Sequence, residues 1–139
     1  MVDRDALSKR LDALETYLAE LEGFREIDRE RFVREPALHH LAERYLHLAC
    51  ETVLDTAHHV IADTGLKQAS SYREAIDVLA KAGHLEPTLA DRLRRWMGFR
   101  NVLVHFYLDL DHGRTYDAIA NDLGDLREFM VAMAALLVE

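Results

Sequence analysis

The 139-residue chain has a mass of 16.0 kDa, the size of one domain, which leaves no room for a second catalytic domain. Hydrophobic residues make up 50% and charged residues 30%, with 6 Gly and 2 Pro, a composition that excludes a disordered or fibrous chain. Asp and Glu number 25 against 17 Lys and Arg, so the net charge of -8 excludes a protein that coats nucleic acid indiscriminately, because such binding is built on phosphate neutralisation.

Leu7, Leu11, Leu14, Leu18 and Leu21 form one narrow apolar stripe and predict a helix from about Asp5 to Phe24. Such a stripe serves either a bundle helix or a coiled-coil seam. It lapses at Arg25, short of the roughly three heptads a coiled coil sustains, which favours the bundle. A charged stretch, Arg25 to Glu35, leads to Pro36. A second helix is predicted from about Ala37 to Ala62, with Leu38, Leu41, Tyr45, Leu48, Val53, Leu54, Ala57 and Ile61 mostly on one side and Gly65 after its end.

Ser71 with Glu74 three residues later is a capping-box signature, opening a short helix through Ala82 that Gly83 stops. Pro87 fits the first turn of a fourth helix reaching about Tyr107. Asp111 and Gly113 then mark a turn before a last helix from about Thr115 to the end. Beyond Phe129 that helix is apolar all round, which suits burial in its own bundle or against a second subunit. No strand-like alternation survives. The expectation is an all-α chain, one domain over 1–139, folded as an antiparallel up-and-down bundle of about five helices.

Cys50, the single cysteine, lies in an apolar helical pattern and reads as packing. One thiol can form no internal disulfide and no thiolate zinc site, which fits a reducing cytoplasm. The longest apolar run, Phe129 to Val138, falls well short of the ~20 residues a membrane span needs. Cytoplasmic location and no membrane association are therefore expected, and Trp96 reads as core.

The segment Arg100-Asn101-Val102-Leu103-Val104-His105-Phe106-Tyr107 gathers a cation, an amide, an imidazole and a phenol. At ~100° per residue, Phe99, Val102, Leu103 and Phe106 share an arc with Trp96. Arg100 then falls in line with Tyr107, and Asn101 with His105, off that core arc. Arg100 and His105 stand ~140° and ~7.5 Å of rise apart, so one copy cannot easily close both around one atom, whereas two facing copies can. Arginine holds phosphate through paired hydrogen bonds, histidine titrates near neutral pH, and Asn101 can orient either. This set suits phosphodiester cleavage without a metal, a ribose 2′-OH acting as nucleophile, His105 moving protons and Arg100 stabilising the charge that builds on the phosphate. Taken alone, an Arg and a His five apart more often form an ordinary solvated face or cap.

The run R-N-x-L-V-H-x-Y, Arg100 to Tyr107, resembles the HepT-like branch of the HEPN superfamily, the toxin half of toxin–antitoxin pairs. The likeness extends to Glu51–Asp55 with His58-His59-Val60-Ile61, to Ser71-Tyr72-Arg73-Glu74-Ala75 with Leu79, and to Leu93 through Gly98, so it covers roughly Leu38 to Leu126. The resemblance implies an all-α homodimer in which two R-x4-H elements, here Arg100 and His105, build a composite metal-independent endoribonuclease site. It implies an MntA-like minimal nucleotidyltransferase antitoxin that transfers AMP to the tyrosine of H-x-Y, here Tyr107, and an RNA substrate, tRNA or mRNA. It also implies a polar residue from an earlier helix supporting the arginine, with Glu51 the first choice and Asp55 the second. No cofactor is implied. A non-catalytic module that keeps the fold and docks a nucleotidyltransferase is the alternative. Adenylylated Tyr107, in line with Arg100, would crowd the cleft and place anionic groups where RNA phosphate binds. The loop Lys67-Gln68-Ala69-Ser70 departs from the family layout in lacking a proline.

His47, Glu51, Asp55 and His59 recur every four residues, and adjacent pairs can reach one ion. The four span about 18 Å of helix, too far to share one, and a mixed-charge row more often forms a solvated or internally paired face. No metal site is expected. His39, His40, His58, His84 and His112 read as surface or capping residues. Finally, Asp91 to Arg100 holds four arginines against one aspartate, a net +3 that leaves -11 for the rest of the chain. This decade is the local basic exception that an acidic RNA-cutting protein would need.

Overall fold

In a computed structural model that describes residues 2–138, the chain is all-helical, and no strand occurs among the described residues. Helix α1 spans Arg4–Gly23, α2 Arg29–Arg34, α3 Pro36–Asp63, α4 Tyr72–Lys81, α5 Pro87–His105, α6 His112–Asn121 and α7 Leu123–Ala134. Short 3-10 turns follow α1, α5 and α7 at Phe24–Glu26, Tyr107–Asp109 and Ala135–Val138.

The leucine stripe makes α1 the organiser of one side of the core: Leu7, Leu14, Leu18 and Leu21 are fully buried, against α3 and α7. Asp3 caps the helix by accepting from the Ala6 N–H at 3.1 Å, satisfying an orphan donor of the first turn. Helix α3, about 42 Å long at 1.5 Å per residue, is the central element and packs against α1, α2, α4, α5 and α6. Its buried face runs through Ala42, Leu46, Ala49, Cys50, Val53, Ala57 and Ile61, whereas Leu41 is half exposed. Burial pushes the Cys50 thiol up to about 12, with the Glu51 charge adding to it, so the cysteine is inert packing.

Capping follows the sequence closely. Ser71 Oγ accepts from the Glu74 N–H at 3.2 Å, while the Glu74 carboxylate reaches back to the N–H of Ser70 at 3.1 Å, one residue earlier than a regular capping box, and to the Ser70 hydroxyl. At Gly65 and Gly83, with φ of +72° and +83°, the chain leaves α3 and α4 through left-handed residues. Leu66 N–H donates to Ile61 O and His84 N–H to Leu79 O, which closes each helix with a Schellman motif.

Two features depart from the sequence expectation. The charged stretch contains α2, six residues too few to hold a helix alone. Phe32 fixes it, fully buried between Phe24 and Tyr116, and Arg29 forks onto Asp117 at 2.9 and 3.1 Å. The terminal helix is divided at Asp122 into α6 and α7. Asn121 and Asp122 are poor helix formers, and Arg25 Nε donates to the Ile119 carbonyl at 3.1 Å near the end of α6. In α7 the bundle itself buries Phe129 and Met133, leaving Val131 exposed.

Candidate functional site

Arg100 is drawn into the interior, contrary to its predicted place off the core face: it is only 8% exposed, while Phe106, assigned to the core arc, is 58% exposed. The inversion has an electrostatic cause. A guanidinium leaves water only where carboxylate and polar partners replace it, and α3 and α4 supply them. Arg100 Nε donates to Glu51 Oε1 at 2.6 Å, one Nη to Asn101 Oδ1 at 3.2 Å, and the other to the Tyr72 hydroxyl at 3.3 Å. The Tyr72 ring also lies under the guanidinium, 4.4 Å from Cζ to centroid, a cation–π contact. Three of five N–H donors are thereby used, and one on each Nη remains for a ligand.

Glu51 therefore contacts Arg100, and Asp55 does not share that role: its carboxylate accepts from Arg10 Nε of α1 at 2.7 Å. Asn101, exposed, bonds the arginine it follows. His105 is the last residue of α5, exposed, with no bonded partner among the described residues. Tyr107 is 64% exposed and is not in line with Arg100, because α5 ends at His105 and Tyr107 begins a 3-10 turn. The turn carries the chain to Asp111, whose Oδ1 caps α6 through the N–H groups of Gly113 and Arg114. Buried Glu43 of α3 holds that end of α6 through His112 at 2.5 Å and the Thr115 hydroxyl at 3.4 Å.

The four-residue row of His47, Glu51, Asp55 and His59 on α3 is split among separate partners. His47 Nε2 lies 3.4 Å from Glu51, Asp55 pairs with Arg10, and His59 lies 3.1 Å from Asp63. Among the described residues no three His, Cys, Asp or Glu side chains are grouped to hold a metal ion. His39 and His112 are not surface residues of the kind expected: His39 is buried and stacks on the half-buried His112 ring at 3.6 Å. Nor is the basic decade free. Arg92 is bound by Asp125 and Glu128, and Arg94 by Asp77 and Asp91. Only Arg95 of the four arginines has no carboxylate partner among the described residues.

Two members of this cluster escape a sequence reading. Tyr72 was visible only as the residue after the Ser71 cap, at the head of the Ala75, Ile76 and Leu79 stripe, where it reads as packing. His47 was visible only as one member of the four-residue row, four positions before Glu51.

The pattern of the ribonuclease HepT-like family matches residues 14–133. The chain belongs to that family. It is 31% identical over 116 residues to the tRNA nuclease HepT of Aphanizomenon flos-aquae, covering 82% of this chain and 78% of the relative. It is 28% identical over 90 residues to the mRNA nuclease HepT of Shewanella oneidensis, covering 65% and 68%. The solved tri-AMPylated Shewanella oneidensis HEPN toxin in complex with MNT antitoxin superposes with a TM-score of 0.86 over 97% of this chain and 99% of that one, at 22% identity. This last likeness shows the HepT-like fold. Among the described residues, no helix is long and apolar enough to cross a membrane.

Proposed function

We propose that this HepT-like protein is a toxin that cleaves RNA without a metal ion, at a composite site formed when two copies bring their Arg100 and His105 together. The observation that carries the reading is the fixed Arg100 guanidinium, with donors to spare, followed by an unpartnered exposed imidazole at the end of the same helix. The half-exposed Val102 and the exposed Phe106 and Leu108 flank the pair. Such an apolar patch beside a polar site suits a subunit interface.

In the proposed reaction the ribose 2′-OH loses its proton to His105 of one copy and attacks the adjacent phosphorus. The new P–O2′ bond replaces the P–O5′ bond, leaving a cyclic phosphate and a 5′-hydroxyl, whose proton comes from the partner's His105. Arg100 stabilises the charge on the non-bridging oxygens through its free N–H donors. The names of the relatives support an RNA substrate, tRNA or mRNA.

The partner we propose is an MntA-like nucleotidyltransferase antitoxin, in line with the complex formed by the Shewanella protein. It would join the α-phosphorus of ATP to the exposed Tyr107 hydroxyl and release pyrophosphate. The bulk and negative charge beside the site would then exclude RNA.

Incubation of the purified protein with tRNA and mRNA in EDTA tests the nuclease. Wild type should cleave, and Arg100→Ala and His105→Ala should lose about 10²-fold or more of the rate. Equal cleavage by all three, or none by any, overturns the proposal. Absence of cleavage with AMP added to Tyr107 would leave a docking module. Sedimentation that finds only a 16.0 kDa species at micromolar concentration removes the composite site.

A further inference from the structure

Between α3 and the turn at Tyr107 lies a cavity of about 190 Å³, lined by His40, Glu43, Arg44, His47, Leu103 and Tyr107. We propose that it is a phosphodiester-binding subsite whose cation is Arg44. Its ligand is either the phosphate that adenylylation places on Tyr107 or a backbone phosphate of RNA next to the scissile one. The first source rests on the modification of Tyr107 proposed above, and the second on the RNA substrate.

Three observations carry the assignment. The first is charge. Exposed Arg44 has, like Arg4, Arg34, Arg73, Arg95 and Arg114, no carboxylate partner among the described residues, and it is the arginine that lines this cavity. Its one bond is to an imidazole, His47 Nδ1, at 3.3 Å. Glu43, the nearby anion, is bound by His112 at 2.5 Å and by the Thr115 hydroxyl. His40, with Nδ1 3.4 Å from Glu43, adds a second positive charge when protonated.

The second is aim. An arginine can only donate, so His47 Nδ1 accepts, which puts the ring proton on Nε2, facing Glu51 Oε1 at 3.4 Å. Glu51 in turn holds Arg100. Arg44, His47 and Glu51 of α3 and Arg100 of α5 thus form one line of polar contacts, hydrogen-bonded at its two ends and closed by the 3.4 Å His47–Glu51 approach, with one guanidinium in the cleavage site and one in the cavity. Two cations so linked suit consecutive phosphates of a single strand, or a phosphate on Tyr107 beside an emptied cleavage site.

The third is size. The cavity is smaller than the roughly 300 Å³ at which pockets for whole drug-sized ligands begin. It accommodates a phosphoryl group, with sugar and base outside. Tyr107 belongs to the cavity wall itself, so a phosphate joined to its oxygen starts within reach.

The test compares Arg44→Ala and Arg44→Lys with Arg34→Ala, which removes an equal charge from exposed α2 and serves as the control. In one arm, a fluorescent oligonucleotide with a 2′-deoxyribose backbone, which this chemistry cannot cut, is titrated by anisotropy over a range of salt. For an RNA phosphate, Arg44→Ala should weaken binding by about five- to tenfold and lower the salt slope by about one, Arg44→Lys should recover part of the loss, and Arg34→Ala should match wild type. In the other arm, adenylylated protein is treated with a phosphodiesterase. For a Tyr107 phosphate, Arg44→Ala should release AMP several times faster than wild type. A change in either arm specific to Arg44 supports the subsite and identifies its source. If Tyr107 takes up no AMP, the adenylylation reading has failed and the oligonucleotide arm alone decides. Equal behaviour of Arg44→Ala and Arg34→Ala in every arm that can be run overturns the subsite.

Discussion

A buried arginine is stable only while its partners hold it, and Arg100 depends most on Glu51. Glu51→Gln keeps the shape and removes the charge, so the guanidinium loses its strongest anchor. RNA cleavage should fall about 10²-fold, mainly in kcat, as small misplacements of a positioned group do. The thermal midpoint should fall as well, because Arg100, only 8% exposed, would keep its buried charge without a carboxylate. A cleavage rate equal to wild type would show that Tyr72 and Asn101 alone position Arg100. Other single residues also took roles that local patterning did not assign. His39 Nδ1–H donates to the Phe32 carbonyl at 3.0 Å while the ring stacks on His112, and so links α2, α3 and α6. Cys50 and Trp96 were legible from the start, since each is buried as its apolar neighbourhood implies, although Phe106 on the Trp96 arc is not.

At the scale of elements, the helices with a strong internal period were the legible ones. The α1 leucines, Pro36, Ser71, Gly83 and Pro87 mark boundaries by local sterics and hydrogen bonding, which do not require the rest of the fold. Helix α2, the end of α5 and the break before α7 were not legible, because each is decided by a distant contact. Phe32 seats α2, Glu43 holds α6 beside α3, and Arg25 caps a carbonyl of Ile119. The start of α6 gives a direct check. Asp111→Ala removes the acceptor of two N–H groups and should cost about 1 kcal/mol, read as a shift in the urea midpoint. It should also speed amide exchange in α6 more than in α1. An unchanged midpoint would mean that Glu43 alone suffices to hold the helix start.

Over the whole molecule, Arg127 ties α7 to α1 through Glu15 and Glu22, closing the bundle between its last helix and its first. The hydrogen bond from Arg127 holds the Glu22 carboxyl below its ordinary value, and Arg29 and Arg92 act likewise on Asp117 and Glu128. A lowered folded-state value gives stability that is present above the ordinary carboxylate range and is lost as pH falls through the folded value. The urea midpoint should therefore hold from pH 7 to about 5 and decline below about 4.5. Arg127→Met should shift the onset of that decline and reduce its depth, and a midpoint constant down to pH 3 would contradict the assignment. The same pairings reshape the charge argument: the basic decade is mostly neutralised within the fold, and of its four arginines only Arg95 has no carboxylate partner among the described residues, while Arg100 keeps spare donors.

Sequence alone determined the all-helical class, the main helices, the caps and the R-x4-H-x-Y element, because periodicity and capping are local and need only the near neighbours of each residue. Tertiary structure alone decided which charges are spent and which are free. Ion pairs join residues tens of positions apart, Glu51 to Arg100 and Arg92 to Glu128 among them, so no local pattern could show that Arg100 is buried and fixed while His105 and Arg44 are left without carboxylate partners.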